Sequence, residues 1–155
     1  MGTDDKLTTY ERWIAGEGIP IAGGYGVEDL EEVELAPWKR TGGKAAFIQL
    51  AGLEGFTGMV LGEIPPRGSL HPMKHLYDAI VYILRGSGAT EVWWAPDNGR
   101  RTSFEWGEGG VFAIPLNATY RLHNGSNQPV RFLAVTSAPP IMVRSKTLPS
   151  GARPS

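Results

Sequence analysis

The sequence predicts a single all-β domain folded as a sandwich or a barrel, and two observations carry that prediction. Short runs of β-branched and aromatic residues follow one another from Ala45 to Ala138, with no helical period between them. Turn-forming residues separate the runs, as in Pro96-Asp97-Asn98-Gly99. The chain has 21 glycines and 12 prolines in 155 residues, which is typical of turn-rich β proteins.

Eight such runs are expected to be strands. They are AAFIQLAGL (45–53), FTGMVLGEI (56–64), AIVYILRG (79–86), ATEVWWA (89–95), TSFEW (102–106), GVFAIP (110–115), TYRLHN (119–124) and VRFLAVTSA (130–138). Strands of this number and spacing form a sandwich or a barrel. Residues 46–140 are therefore assigned to the barrel, and residues 141–155, where the pattern ends, to a C-terminal tail.

The first 45 residues do not show this pattern. Five glycines between Gly16 and Gly26 break any helix longer than two turns, so we expect an extended N-terminal arm with little regular structure. The run from Val27 to Val33 fits either a short helix or an edge strand. Trp13 and Trp38 are expected to pack the arm onto the barrel, because large aromatic side chains bury much area.

Composition and charge exclude several classes of function. The formal net charge is -1, without the basic field that nucleic-acid binding requires or a basic stripe for a membrane surface. Cysteine is absent, which excludes disulfides and thiolate chemistry and fits a cytoplasmic location. The N-terminus lacks the apolar segment of a signal peptide, and no stretch approaches the roughly 18 apolar residues of a membrane-spanning helix.

Two segments within the barrel carry a recognisable spacing. The stretch from Gly68 to Gly86 resembles G-x5-H-x-H-x3,4-E-x6-G when the spacing is counted back from Gly86, with one residue fewer after Gly68, and it ends in VYILRGSG. The stretch from Gly109 through Pro115 to Asn124 fits G-x5-P-x-G-x2-H-x3-N. In these segments the chain resembles the cupin superfamily, over roughly residues 45–138. The resemblance implies a double-stranded β-helix, or jelly-roll barrel.

The resemblance also implies a metal held by two histidines, a glutamate and a third histidine. By spacing these four positions fall on Met73, His75, Ala79 and Tyr120, so one ligand of four is kept. Asn117 replaces the glycine of the second motif, and asparagine is the residue that best tolerates a positive φ after glycine. We therefore expect a kept backbone around an altered site, with no metal and no cofactor.

A different ligand set is an alternative. The chain has three histidines, His71, His75 and His123, all within the two motif segments, and three histidines can hold Zn, Fe or Ni. Strand alternation argues against this set. If Tyr120 points into the barrel, Leu122 does too, and His123 points away from it.

The remaining motif residues suggest an acid–base site. His75 and Tyr120 are expected to face each other and to act as catalytic residues, because imidazole titrates near neutral pH and a phenol can donate to a developing oxyanion. The residues expected to bind the substrate are Met73, Ala79, Val81, Leu122, Gln49 and Tyr82. Most of these are apolar, which favours an apolar or aromatic small molecule.

Three functions follow from this interpretation. The leading hypothesis is a metal-independent isomerase, cyclase or lyase. The alternatives are a metal-dependent, oxygenase-like cupin that uses the three histidines, and a barrel that binds a small ligand without reaction. We also expect a homodimer, because an arm that carries Trp13, Tyr25 and Trp38 presents apolar surface for a partner.

Overall fold

The computed structural model describes residues 7–94 and 100–145 of the chain. These residues form two short helices, α1 (Thr9–Gly16) and α2 (Ala138–Ser145). They also form the strands β1 (Ile21–Gly24), β2 (Ala36–Trp38), β3 (Gly43–Leu50), β4 (Gly58–Ile64), β5 (Met73–Lys74), β6 (Ala79–Arg85), β7 (Gly88–Trp93), β8 (Thr102–Trp106), β9 (Val111–Ile114), β10 (Thr119–His123) and β11 (Val130–Thr136). Each of the eight runs predicted from the sequence overlaps one strand, and β3 and β7 begin one or two residues before their runs.

The strands make two sheets. The larger has the order β1-β3-β4-β11-β6-β9, with β2 also paired to β3, and the smaller has the order β5-β10-β7-β8. The β1–β3 pair is parallel, and the other pairs are antiparallel. The all-β jelly-roll prediction is confirmed, as two packed sheets.

Strand alternation places one apolar face of each sheet in a shared core. In β6, Ala79, Val81 and Ile83 are buried, while Ile80 and Tyr82 between them are 56% and 43% exposed. Inward residues of β10, such as Leu122, complete the core from the smaller sheet. The alternation is the expected result of side chains that point to opposite faces of a strand.

The N-terminal segment has more regular structure than an extended arm. Thr8 caps α1: its hydroxyl accepts from the backbone N–H of Glu11 at 3.0 Å, and the Glu11 carboxylate accepts from the backbone N–H of Thr8 at 3.1 Å. This reciprocal pair is a capping box, whose T-x-x-E pattern is visible in the sequence. The glycines from Gly16 to Gly26 therefore did not exclude a helix before them, because α1 ends at Gly16, the first of these glycines.

Aromatic packing holds α1 against the larger sheet, as predicted for Trp13 and Trp38. The Trp13 ring contacts Trp38 at a centroid distance of 6.4 Å and Phe47 of β3 at 5.4 Å. The Glu17 carboxylate, just after α1, accepts from Trp38 Nε1 and pairs with Arg40. Both tryptophans are thus buried within one chain, which removes part of the argument for a dimer; the homodimer stays a prediction.

The segment from Val27 to Val33 is neither a helix nor a strand but a series of turns and bends. It is fixed to the outer face of the larger sheet by Arg131 of β11, which donates to the carbonyls of Leu30 and Glu31 at 2.8 and 3.0 Å. The local pattern was ambiguous because this segment takes its conformation from the surface beneath it.

At the other end of the chain, residues 141–145 belong to α2 and are not part of a tail. The rest of the predicted tail, residues 146–155, lies outside the described residues. Within the described part of the chain, neither helix has the length and apolar character needed to cross a membrane.

Candidate functional site

A largely enclosed cavity of about 60 Å³ lies between the two sheets, beneath α1 and β2. None of the described residues that line it is charged. They are Trp13, Trp38, Thr41, Val60, Leu70, Met73, His75, Tyr77, Ala79, Val81, Tyr120, Leu122, Phe132, Ala134 and Thr136. The cavity is therefore apolar, apart from one imidazole and a few hydroxyl and indole groups.

Four of the six residues predicted to bind a substrate line this cavity, namely Met73, Ala79, Val81 and Leu122. Tyr82 does not, because it has the opposite parity to Val81 on β6 and points out of the sandwich. Gln49 does not either: it is half-buried near the end of β3, beyond the part of the strand that faces the cavity. Neither residue lies in the wall of this cavity, and their contact with a substrate stays a prediction.

His75 lies in the loop between β5 and β6. The backbone N–H of Asn117 donates to the His75 carbonyl at 2.8 Å, and Asn117 has the positive φ of 65° expected from the motif. The His75 ring stacks on Tyr77 with centroids 4.1 Å apart. The loop between β9 and β10 thus holds the backbone of His75 through Asn117. Tyr77, in the same loop as His75, holds its ring by stacking.

The hydrogen bonds of His75 define its protonation state. Nδ1 lies 3.1 Å from the carbonyl oxygen of Tyr77, which can only accept, so Nδ1 carries the proton. Nε2 is then the acceptor, and the Tyr120 hydroxyl donates to it at 2.7 Å. The structure thus brings together the two residues singled out from the motifs, 45 positions apart, as a neutral hydrogen-bonded pair.

Burial keeps both members of this pair uncharged. Desolvation lowers the pKa of His75 from 6.5 to about 4, although the hydrogen bond to the Tyr77 carbonyl opposes the shift. Desolvation also raises the pKa of Tyr120 well above its usual value, and the nearby Tyr77 adds to this effect. Near neutral pH the pair is a phenol bonded to a neutral imidazole.

Acid should therefore destabilise the protein through His75. The folded state holds this histidine neutral until about pH 4, whereas the unfolded chain protonates it near pH 6.5. Its stabilising contribution is present above pH 6.5 and is lost as the pH falls towards 4, and it amounts to about 3 kcal/mol. Urea unfolding of wild type and His75→Gln at both pH values checks this. The wild type should lose about 3 kcal/mol more than the variant, and equal losses would contradict the burial of His75.

The residues at the four motif positions do not fit a metal ion. Met73 offers a thioether, Ala79 offers no donor, and the Tyr120 phenol keeps its proton. The lone pair of His75 Nε2 is already used by Tyr120. The available donors are thus one imidazole nitrogen that already accepts a hydrogen bond and one soft thioether sulfur. They differ in kind from the set of nitrogen and oxygen ligands implied by the motif.

The three histidines do not assemble a replacement site. His71 Nδ1 lies 3.3 Å from the Arg40 carbonyl, while His123 is on the outer face of β10, bonded to Ser69 and Glu91. Across residues 7–94 and 100–145, no group of three histidine, aspartate or glutamate side chains is placed to hold a metal ion. The parity argument for His123 is confirmed.

Protein purified without added metal is expected to contain much less than one transition metal ion per chain, measured by elemental analysis. The restored variant Met73→His/Ala79→Glu/Tyr120→His should bind about one Zn or Mn ion, because Met73 and Tyr120 are register partners and all three positions line the cavity with His75. Stoichiometric metal in the wild type would refute the first expectation. A folded restored variant that binds none would refute the residue assignment.

Sequence reasoning missed one side of the cavity. Trp38 and Thr41 lie in the last residues of the predicted arm, and Tyr77 lies two residues after His75, yet none was placed in the site. Tyr77 could have been found, because it sits inside the first motif segment. The contribution of β2 and α1 had no local signal, since it depends on how the N-terminal segment crosses the sandwich.

No protein-family model matches the chain, and a comparison with curated proteins found no match. Solved structures do match. The Lactobacillus farciminis oxalate decarboxylase formate complex aligns with a TM-score of 0.59 at 20% identity, over 71% of this chain and 32% of that one. A variant of Bacillus subtilis oxalate decarboxylase aligns with a TM-score of 0.58 at 21% identity, over 70% of this chain and 28% of that one.

The cupin domain of Schizosaccharomyces pombe Cnp3 also aligns, with a TM-score of 0.56 at 22% identity, over 70% of this chain and 66% of that one. This chain thus spans about a third of the oxalate decarboxylases and two thirds of the Cnp3 domain. Likeness at this level of identity concerns the fold. The chain has the cupin fold, as its two motif segments predicted, with a side-chain set of its own at the centre.

Proposed function

We propose that this protein binds a small, uncharged and largely apolar molecule between its two sheets. The observation that carries the proposal is a cavity with no charged side chain in its wall. The neutral, hydrogen-bonded pair of His75 and Tyr120 supplies polar groups at one side of this cavity. Such a cavity matches the usual ligand site, which is mostly apolar with a few polar groups that fix orientation. Trp13 adds a buried indole N–H with no hydrogen-bond partner among the described residues, which favours a ligand with an acceptor atom.

Charge argues against the substrate of the structural neighbours. Oxalate decarboxylase acts on oxalate, which is a dianion at neutral pH. An anion buried without a paired cation or a metal costs several kcal/mol, and this cavity wall supplies neither. Under this proposal the protein shares its fold with oxalate decarboxylase but binds a different, uncharged ligand.

Size limits the ligand further. About 60 Å³ is well below the roughly 300–1,000 Å³ of typical ligand sites. A molecule of more than a few heavy atoms thus requires a wall to move, and the N-terminal segment contributes Trp13 of α1 and Trp38 of β2 to that wall. The N-terminal segment then acts as the cover of the site.

The test uses 2-cyclohexenone as the uncharged probe, with benzoate and oxalate as charged comparisons. At ten times its Kd the uncharged probe should raise Tm by about 3–6 °C, and the two anions should leave it unchanged. Ala79→Leu fills the cavity and should abolish the shift. The matched control is Ala113→Leu, on the exposed face of neighbouring β9, which should keep it. Binding by oxalate, or equal binding by both leucine variants, would refute the proposal.

Acid–base catalysis is the second candidate, favoured by the 2.7 Å bond between Tyr120 and His75. A substrate C–H proton could pass to the phenol oxygen while the phenol proton passes to Nε2 of His75. The low pKa of His75 makes it a weak base, which is why binding ranks first. Isomerase, cyclase or lyase chemistry would begin with this step and would need no metal.

Deuterium uptake by 2-cyclohexenone in D₂O, followed by NMR, tests this second candidate. If the pair is catalytic, His75→Gln and Tyr120→Phe should each slow uptake by about 10²- to 10⁴-fold. His71→Ala serves as the histidine control, because His71 does not line the cavity. Uptake at the uncatalysed rate, together with probe binding, would leave the protein as a binding module only.

A further inference from the structure

A second group of polar side chains lies outside the sandwich, on the outer face of the smaller sheet. Ser69 pairs with His123 of β10 through an isolated antiparallel bridge, and its Oγ lies 2.6 Å from His123 Nδ1. Nε2 of the same ring lies 2.6 Å from Glu91 Oε1 on neighbouring β7. Arg101 Nη1 donates to the other Glu91 oxygen at 3.2 Å.

The chemistry of the partners sets the direction of each bond. The Glu91 carboxylate only accepts, so the imidazole proton is on Nε2. In the neutral ring Nδ1 then carries the lone pair, and the Ser69 hydroxyl donates to it. The hydrogen bond with His123 lowers the pKa of Glu91, with a smaller contribution from Arg101, so the carboxylate stays ionised. A hydroxyl, a base and an orienting carboxylate are thus joined in series.

This series is the arrangement by which a hydroxyl is activated as a nucleophile: the base lies within hydrogen-bond reach and a third group orients it. It is also accessible. His123 and Glu91 keep 31% and 25% of their side-chain surface exposed, and Ser69 is half-buried. His123 borders an open groove of about 460 Å³, whose wall also includes Ser87, Glu105 and Ser126.

We propose that Ser69 is an activated nucleophile that reacts with esters at this outer face of the smaller sheet, beside the groove that His123 borders. Ser69 Oγ attacks the ester carbonyl carbon, and its proton passes to His123 Nδ1. The carbon–oxygen bond to the leaving alkoxide breaks, and the alkoxide takes that proton and departs as an alcohol. Water repeats the sequence on the acyl-serine, releases the acid and restores Ser69. Glu91 is a positioning residue that fixes the imidazole and stabilises its charged form.

The experiment treats the full chain with a small alkyl fluorophosphonate and with p-nitrophenyl acetate, and maps the modified peptide by mass spectrometry. Ser69 should be modified in the wild type and not in Ser69→Ala, and His123→Gln should slow modification at least tenfold. Ser103→Ala is the matched control, since Ser103 is exposed on the same sheet and belongs to no such series. It should react like the wild type.

The role of Glu91 has its own readout. Removal of the carboxylate withdraws the partner that stabilises imidazolium, so Glu91→Gln should move the pH midpoint of modification to lower pH. A merely structural glutamate would change the amount of folded protein but not that midpoint. Circular dichroism of each variant separates misfolding from loss of reaction. No modification of folded wild type by excess reagent, or equal modification of Ser69→Ala, would overturn the proposal.

Discussion

Replacement of Trp13 by alanine is expected to lower the free energy of unfolding by about 3–5 kcal/mol, the usual cost of removing a buried large aromatic side chain. Trp13 is 6% exposed and packs on Tyr10, Trp38 and Phe47. It is the side chain of α1 that both anchors the helix and closes the cavity. The same variant should therefore admit larger apolar probes.

Urea unfolding at pH 7 measures this loss, and Trp94→Ala is its control. Trp94 is 45% exposed just after β7, so its removal should change stability by no more than about 0.5 kcal/mol. If the two tryptophan variants lose the same stability, α1 does not pack on the larger sheet as described. The proposal that the N-terminal segment covers the site would then fail as well.

Replacement of Arg131 by alanine should cost a similar amount, about 3–5 kcal/mol, because it breaks a buried ion pair from one side. Arg131 Nη2 lies 2.9 Å from Glu63 Oε2, and the arginine side chain is only 9% exposed. The same guanidinium donates to backbone carbonyls of the N-terminal segment at Leu30 and Glu31. Its loss leaves the Glu63 carboxylate short of a partner and releases residues 27–33 from the sheet.

Arg85 provides a matched control for Arg131. It is the register neighbour of Arg131 and shares Glu31 and Glu63 as partners, but its side chain is 37% exposed. Ion pairs at such a position contribute about 1 kcal/mol or less, so Arg85→Ala should be mild. Hydrogen exchange should rise in residues 27–33 for the Arg131 variant. Unchanged exchange there would show that Arg131 does not fix this segment.

The position of the strands and the composition of the cavity could be read from local pattern. Alternation of apolar and polar residues is a property of a few consecutive residues, so β6 and β10 and the inward parity of Val81 and Leu122 were visible in the sequence. The two motif spacings also placed His75 and Tyr120 together, and Asn117 at its positive φ. Tyr82 and Gln49 do not line the cavity: Tyr82 has the opposite parity to Val81, and Gln49 lies near the end of β3.

The sequence by itself therefore determined the all-β fold, the loss of the metal-ligand set and the apolar lining of the core. Only the tertiary structure decided which proton His75 carries, how far burial lowers its pKa, and that α1 and β2 close the cavity. It alone joined Ser69, Glu91 and His123, which are up to 54 residues apart. The physical reason is that periodicity acts within one strand, whereas desolvation and side-chain hydrogen bonds depend on which strands become neighbours.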